Sequence, residues 1–518
     1  MGCNSQKQSQ SEKHQAKSNQ QQNLPRIQKV TSAKPKEISK DNLKEKQNFN
    51  SQPQAQQKVA ELFDLENQQI YRNKKFQSDY VIVEEKVSIQ NNEGKLFIVE
   101  HKVTGQKRIA KIIKNVLTDN QLLEYIQYIQ SIKKLDHPNI IKLFDVYNDE
   151  HHIYLVKEYC EGGNLIQRLQ NEESNLNNTH IAFTIQQMLS AVHFIHAQNQ
   201  VHKNIQTKNI FIAEKQTYLS KISGHEEIFY NHQDLNTEIS YRAPETFSEQ
   251  YKWKASADIW SVGVVLYELL LGVHPFKEKH KNLTFQNIKE NKLKNPAEYK
   301  QLEQEAKSLL ILMLNQDENA RPSAKECLQH SYFKSIQQSS LKVTGALLRA
   351  KNFQRKNELK MILLSLMIEY LLPKEDRDRI ANSFNKMDTD FDGRISKKEL
   401  IKLYQENLGD ESIGKKEVEG IFKRLDLNED SFLGFNEFLI ATCDKKILLS
   451  EENLRIFFNK LDKDSNRQIS ANELKVYFVK TKLTDAEWLE LMKLGDSKEE
   501  QNNKLSFDEL KELLKESE

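Results

Sequence analysis

Three twelve-residue stretches carry oxygen-bearing side chains at the positions that surround a hard cation. The first runs Asp388-Thr-Asp390-Phe-Asp392-Gly393-Arg394-Ile-Ser-Lys-Lys-Glu399. Carboxylates at positions 1, 3 and 5, the backbone carbonyl of Arg394 at 7 and a glutamate at 12 form an all-oxygen shell that suits calcium, with a glycine at 6 for the turn. The second keeps Asp426, Asn428, Asp430, the carbonyl of Phe432 and Glu437, with Ser431 at the turn. The third keeps Asp462, Asp464, Asn466, the carbonyl of Gln468 and Glu473, with Arg467 at the turn. A side chain at that left-handed position costs on the order of 1 kcal/mol, so these two loops are expected to bind calcium more weakly than the first. A fourth stretch, aligned on Leu505 and Glu509, begins at Lys498 and lacks the first carboxylate. It is expected to pair with the third loop rather than to hold metal.

A second constellation is Val201-His-Lys-Asn-Ile-Gln-Thr-Lys-Asn-Ile-Phe-Ile212. It resembles the catalytic loop of protein kinases, H-R-D-x-K-x-x-N before a short strand. His202 and Asn209 stand at its first and last positions, but Asn204 replaces the base aspartate and Gln206 replaces the phosphate-steadying lysine. Gly224, in Lys221-Ile-Ser-Gly224-His225, takes the place of the aspartate that holds magnesium. Of a Gly-rich loop only Gly94 remains, with Ile89 and Asn91 in the other two places. Lys111, in Arg108-Ile-Ala-Lys111, is the candidate for the nucleotide phosphates, and Ile109 would crowd an adenine. The position that supplies a glutamate partner to that lysine holds Tyr128, nine residues before His137 of Asp136-His-Pro-Asn139. The framework signatures survive: Ala243-Pro-Glu245, Asp258-Ile-Trp260-Ser-Val-Gly263 and Arg321, which predicts a buried Glu245–Arg321 ion pair.

The elements that position these residues follow from periodicity. Alternating apolar residues from Tyr80 read as strands, and Ile153–Tyr159 reads as a buried strand leading to a hinge. Residues 334–378 read as a basic helical stretch whose apolar positions, Leu347-Leu348 and Leu359 to Ile368, recur at i, i+3, i+4 and suit a calcium-sensor groove, with an ordinary connecting helix as the plain alternative. The loops that follow repeat every 36–38 residues.

Composition sets the outer bounds. A net charge of +2 in 518 residues gives no bias toward nucleic acid, and none is expected as a partner. The four cysteines form no C-x-x-C pair, which fits a reducing compartment. No apolar run reaches the ~20 residues of a membrane span. Residues 1–50 hold ten Lys/Arg against four Asp/Glu, and the region up to residue 77 is poor in large apolar residues. Such a tail cannot offset its own ordering entropy. Gly2 is a myristoylation candidate and Cys3 a palmitoylation candidate, though position 6 is Gln. Two acyl signals and a basic stretch would hold the chain at a membrane surface.

Tail (1–77), kinase-like domain (78–333), junction helix (334–378) and four EF-hands (379–518) in this order resemble the calcium-dependent protein kinases. The resemblance implies an α+β two-lobed kinase fold followed by an all-α calmodulin-like domain. It also implies calcium as a cofactor, and ATP by way of Lys111 and Asn209. Magnesium is disfavoured by Gly224. The missing groups point to a calcium-sensing pseudokinase, a cytoplasmic, peripherally membrane-bound monomer that switches the binding of an unidentified protein partner. The alternatives are an active Ser/Thr kinase with relocated groups and a calcium buffer.

Overall fold

The computed structural model describes residues 70–515, apart from 72–74, 89–93, 170–175, 216, 226–237, 249, 335–345, 348, 351–357, 409–410, 427–429, 476–484 and 497–501. Gly2, Cys3, Ile89, Asn91, Asn428 and Lys498 lie outside the described residues.

The first lobe is a six-stranded sheet in the order β1-β5-β6-β4-β3-β2. Its strands are β1 (Ile70–Tyr71), β2 (Tyr80–Ser88), β3 (Lys95–His101), β4 (Lys107–Lys114), β5 (Leu143–Asn148) and β6 (His152–Glu158). All its pairings are antiparallel except β1 with β5. The fold therefore starts before residue 78. Phe76 is buried, stacked on Tyr80 and Tyr154, which is reason enough for this stretch to leave the polar tail and join the sheet. Helix α1 (Asp119–Lys133) starts at a capping box of Thr118 and Gln121. It buries Leu122, Tyr125, Ile126, Ile129 and Ile132, a single apolar stripe against the sheet.

The second lobe is helical. Helix α2 (Asn178–Ala197), capped by Asn177, and helix α3 (Ala255–Leu271) are buried along most of their length. Gly272 ends α3 at φ +66. Between the helices lies the hairpin of β7 (Ile210–Ile212) and β8 (Ser220–Ile222). The ion pair expected from the sequence is present: Arg321 Nη1 and Nη2 donate to Glu245 Oε1 and Oε2 at 2.6 and 2.7 Å, with Arg321 over the Trp260 ring.

Helix α4 (Glu358–Leu371) is the centre of the C-terminal part. Its Leu359, Leu363, Leu364 and Met367 are almost fully buried, in one apolar cluster with Phe435, Phe438, Leu454, Phe457, Leu491, Leu510 and Leu514. A helix apolar on most of its sides has to be surrounded, and helices 435–442, 451–461, 485–493 and 507–514 surround this one. Leu372-Pro373 then breaks the chain, and helix α5 (Lys374–Met387) begins at Pro373. The first EF-hand thus starts at Lys374 rather than at 379. Short strands join the calcium loops in pairs: β9 (Ile395–Ser396) with β10 (Phe432–Leu433), and β11 (Ile469–Ser470) with β12 (Lys504–Leu505).

Candidate nucleotide cleft and calcium loops

Helix α2 delivers the chain to the loop at 201–209, and α3 holds it there. The backbone N–H groups of His202 and Lys203 both donate to Asp258 at 2.8 Å, and His196 Nε2 lies 2.9 Å from the same carboxylate. Burial alone would raise the Asp258 pKa, but the His196 hydrogen bond and charge outweigh it and hold the carboxyl below its usual range. Lys203 takes φ +63 to satisfy this anchor. The frame of the loop is intact.

Inside the frame the polar groups bond to one another. Asn204 Nδ2 donates to the Gly224 carbonyl at 2.9 Å, Gln206 Nε2 donates to Asn204 Oδ1, and Asn209 Nδ2 donates to the Asn204 carbonyl at 2.9 Å. Asn204, Gln206 and Asn209 are all buried. Gly224 has φ +100, and a Cβ there would lie 2.5 Å from Asn209 Nδ2 and 3.1 Å from Asn204 Nδ2. The place of the metal-binding aspartate is therefore filled by neighbouring amides.

On the sheet side, Lys111 is buried on β4. It shares a strand face with Ile109, which pairs with Lys157 of β6. Lys157 is buried as well, and its Nζ reaches Ser223 Oγ, one residue before Gly224, at 3.2 Å. The sequence reading passed over this second lysine inside an apolar strand. Tyr128 OH donates to the His225 carbonyl at 2.7 Å, tying α1 to the segment after Gly224. Gly94 has φ +89, and a Cβ there would meet the Ile112 carbonyl at 2.4 Å. Its smallness thus serves strand packing, whatever it does for phosphates.

The calcium loops have the internal bonds of assembled sites. In the first, Asp388 Oδ1 and Oδ2 accept from the N–H groups of Asp392 (3.1 Å) and Gly393 (2.9 Å), and Asp392 Oδ1 accepts from Arg394 N at 2.9 Å. Glu399 Oε2 accepts from Ser396 N at 2.8 Å. Carboxylate oxygens of Asp388, Asp390 and Asp392 lie within 4.8 Å of one another, as do those of Asp462, Asp464 and Glu473. Burial, then the charges of Asp392 and Glu399, push the Asp388 pKa well above its usual value. Burial and Asp390 raise that of Asp392 to about 6. In the second loop Ser431 N donates to Asp426 Oδ2 at 2.9 Å, Phe432 N to Asp430 Oδ1 at 2.9 Å and Gly434 N to Glu437 Oε2 at 2.8 Å. In the third, Arg467 N donates to Asp462 Oδ2 at 2.9 Å and Gln468 N to Asn466 Oδ1 at 2.8 Å. The turn residues Gly393, Ser431 and Arg467 have φ +80, +68 and +66. An all-oxygen donor set of closely spaced carboxylates fits calcium, and in the first loop the cation would supply the positive charge that the raised Asp388 and Asp392 lack.

Comparison with known proteins agrees with both halves. Residues 90–333 match the family model described as the protein kinase domain, and residues 377–443 match the EF-hand domain pair. The chain is 29% identical over 450 residues to calcium-dependent protein kinase 4 of Plasmodium falciparum, covering 81% of this chain and 84% of that one. It has the same identity and coverage with calcium-dependent protein kinase 4 of Plasmodium berghei. It is 28% identical over 387 residues to calcium-dependent protein kinase 5 of Plasmodium falciparum, covering 72% of this chain and 66% of that one. The chain is a homologue of the calcium-dependent protein kinases.

Two features of this calcium-dependent kinase homologue escaped the sequence reading. First, the fourth loop has an acidic first residue. Asp496 Oδ2 accepts from Asn503 N at 2.6 Å, and Asn502 Oδ1 from Lys504 N at 2.9 Å, the pattern of positions 1, 5, 6 and 7 in the other loops. Counting back from Glu509 placed the start two residues too late, because this loop is two residues longer. Second, α5 of the first EF-hand reaches the kinase hinge. Lys221 Nζ of β8 donates to Glu158 of β6 and, at 3.0 Å, to Asp378 Oδ1 of α5, while Lys374 Nζ donates to Asp378 Oδ2 at 2.6 Å and to the Ala213 carbonyl at 2.9 Å. Ala213 and Leu219 of the hairpin join the apolar cluster of the EF-hands. Among the described residues, no helix is long and apolar enough to cross a membrane.

Proposed function

We infer that this calcium-regulated member of the protein kinase family is catalytically impaired. Calcium at its EF-hands then controls which protein partner the kinase-shaped part binds, rather than the rate of a phosphoryl transfer. The observation that carries this reading is the closed amide network of Asn204, Gln206 and Asn209 against Gly224. Phosphoryl transfer depends on positioned charge. These neutral groups supply neither a carboxylate base nor a cation for the moving phosphoryl group, and position 224 offers no magnesium ligand. Lys111 and Asn209 remain for nucleotide binding without turnover. Acylation at Gly2 and Cys3, beside a basic tail, would bring the chain to anionic membrane surfaces.

The test is transfer from γ-labelled ATP with magnesium by the full chain, with and without calcium, beside Lys111→Ala. The expected result is no transfer above that variant, together with a calcium-dependent rise in exposed apolar surface read by dye binding. Transfer above Lys111→Ala overturns the reading in favour of an active Ser/Thr kinase, for which the second cleft lysine, Lys157, is the observation in favour. Calcium binding without dye exposure would mark a buffer instead.

A further inference from the structure

The first calcium loop differs from the third at the two turn positions that carry no calcium ligand, and the kinase lobe accounts for both differences. At position 4 the backbone is left-handed in both loops, with φ +59 at Phe391 and +58 at Ser465. A bulky aromatic is disfavoured there, yet loop one has Phe391, and its ring packs against the core of the helical lobe. At position 6 all three described turns have positive φ, and loops two and three tolerate Ser431 and Arg467. The turn alone therefore does not demand glycine in this chain. Gly393 has a different reason: a Cβ there would lie 2.6 Å from His137 Cδ2 and 2.8 Å from Phe194 Cδ2. His137 and Phe194 are buried, with ring centroids 5.2 Å apart, one on the turn after β-sheet helix α1 and the other on α2. Beside them, Asn436 N of the second EF-hand donates to Asp136 Oδ2 at 2.7 Å.

We propose that calcium loop one is itself the contact by which the EF-hand module reads the kinase lobe, with Phe391 and Gly393 seated on His137 and Phe194. Packing of the Phe391 ring on the lobe holds a bulky residue in the left-handed turn that the ligand-convergent loop needs, so calcium at this loop and docking on the lobe favour each other, and the coupling is reciprocal. Loops two and three, turned by Ser431 and Arg467, lack both features. The inference rests on the calcium-sensing part of the proposed function and not on the absence of phosphoryl transfer.

Hydrogen exchange of the full chain, read by mass spectrometry as calcium is added, tests it over segments 388–399, 136–141 and 190–196. In the unaltered protein the three segments gain protection at one calcium midpoint. Phe391→Ala, which removes no calcium ligand, raises the midpoint of 388–399 at least about fivefold, the lower end of ordinary coupling. It also uncouples 136–141 and 190–196 from calcium. Gly393→Ser, which copies loop two, likewise uncouples 136–141 and 190–196 from calcium and carries the test through those two segments if Phe391→Ala fails to fold, because turn strain alone would raise the midpoint of 388–399. Ser465→Ala in loop three leaves the lobe segments unchanged. Unaltered calcium-dependent protection of 136–141 and 190–196 in Phe391→Ala or, where that fails to fold, in Gly393→Ser overturns the proposal, as does an equal effect of Ser465→Ala on the lobe. Transfer of phosphate is not part of the readout, so an active enzyme would leave the result standing.

Discussion

A Cβ at position 224 would press on the amide of Asn209, and a backbone at φ +100 is one that L side chains avoid. Putting the carboxylate back is therefore not a repair. Gly224→Asp is expected to lower stability by about 1–3 kcal/mol in chemical denaturation, and to restore no transfer from labelled ATP even when Asn204→Asp is added. Appearance of transfer in the double variant would mean that the amide network opens readily. At this scale the sequence was legible where spacing alone mattered. Asn204, Gln206 and Gly224 lie together in one hydrogen-bonded group, in a loop fixed at both ends by Asp258 and the hairpin. It was not legible where direction mattered. Lys157 follows four apolar or aromatic residues and precedes Glu158 in β6, and only the pairing of β4 with β6 shows which face it takes. Asp496 was hidden for another reason: two extra residues shift the count in a loop recognised only from its C-terminal end.

Among the elements, α4 was the most legible, since an apolar run of this length with few charges must be enclosed by something. What encloses it was not written in α4 itself but in the apolar faces of the four helices around it. The calcium loops allow a sharper expectation. Arg467 has φ +66, where glycine is unstrained. Arg467→Gly should relieve on the order of 1 kcal/mol, which is about a fivefold gain in calcium affinity at loop three by titration calorimetry. Ser431→Gly should act likewise at loop two. An affinity unchanged by Arg467→Gly would place the limit on that loop in its ligands instead of its turn.

Across the whole molecule, buried imidazoles set the response to acid. Burial lowers the pKa of His137 to about 3, with His193 adding to it, and lowers that of His274 to about 3, helped by Lys277 and Lys294. His101 falls to about 4 through burial and Lys460. In the unfolded chain each takes a proton near pH 6.5. Between that value and pH 3–4 the unfolded state binds more protons at these rings than the folded one, so their contribution to stability falls as pH drops through the window. The raised carboxyls of Asp388 and Asp392 act in the opposite sense there, so the histidine effect is read as a difference: between pH 7 and pH 5 the thermal midpoint of His274→Asn should fall less, or rise more, than that of the unaltered protein. Parallel profiles would mean that His274 is protonated in the folded protein. The buried cluster of Lys221, Glu158, Asp378 and Lys374 behaves differently. Burial would discharge Lys221, but Asp378 and Glu158 outweigh it and raise its pKa. Burial would likewise protonate Asp378, but Lys221 and Lys374 outweigh it and hold its pKa below the usual value. Its contribution is thus complete above the unfolded value near 3.8 and is lost only as pH falls through the lower folded value, below the histidine window.

That cluster is also where the EF-hands and the hinge share charge, two positive groups against two negative ones. Asp378→Asn keeps the shape of the side chain and leaves Lys221 and Lys374 facing Glu158 alone, in a site where the Lys221 and Asp378 side chains are only 2% and 3% exposed. Breaking a buried pair from one side costs ~3–5 kcal/mol, and the remaining Glu158 contact places this case toward the lower end. The loss should appear as faster hydrogen exchange in the hairpin 210–222 and at the hinge 156–161. Calcium binding at loop one should weaken as well, by reciprocity, although Asp378 is no calcium ligand. High salt should not mimic the variant, because solvent ions do not screen a buried cluster as they screen a surface pair. Unchanged protection of the hairpin in Asp378→Asn would mean that docking rests on the apolar contacts of Ala213 and Leu219, and that the ions merely accompany it.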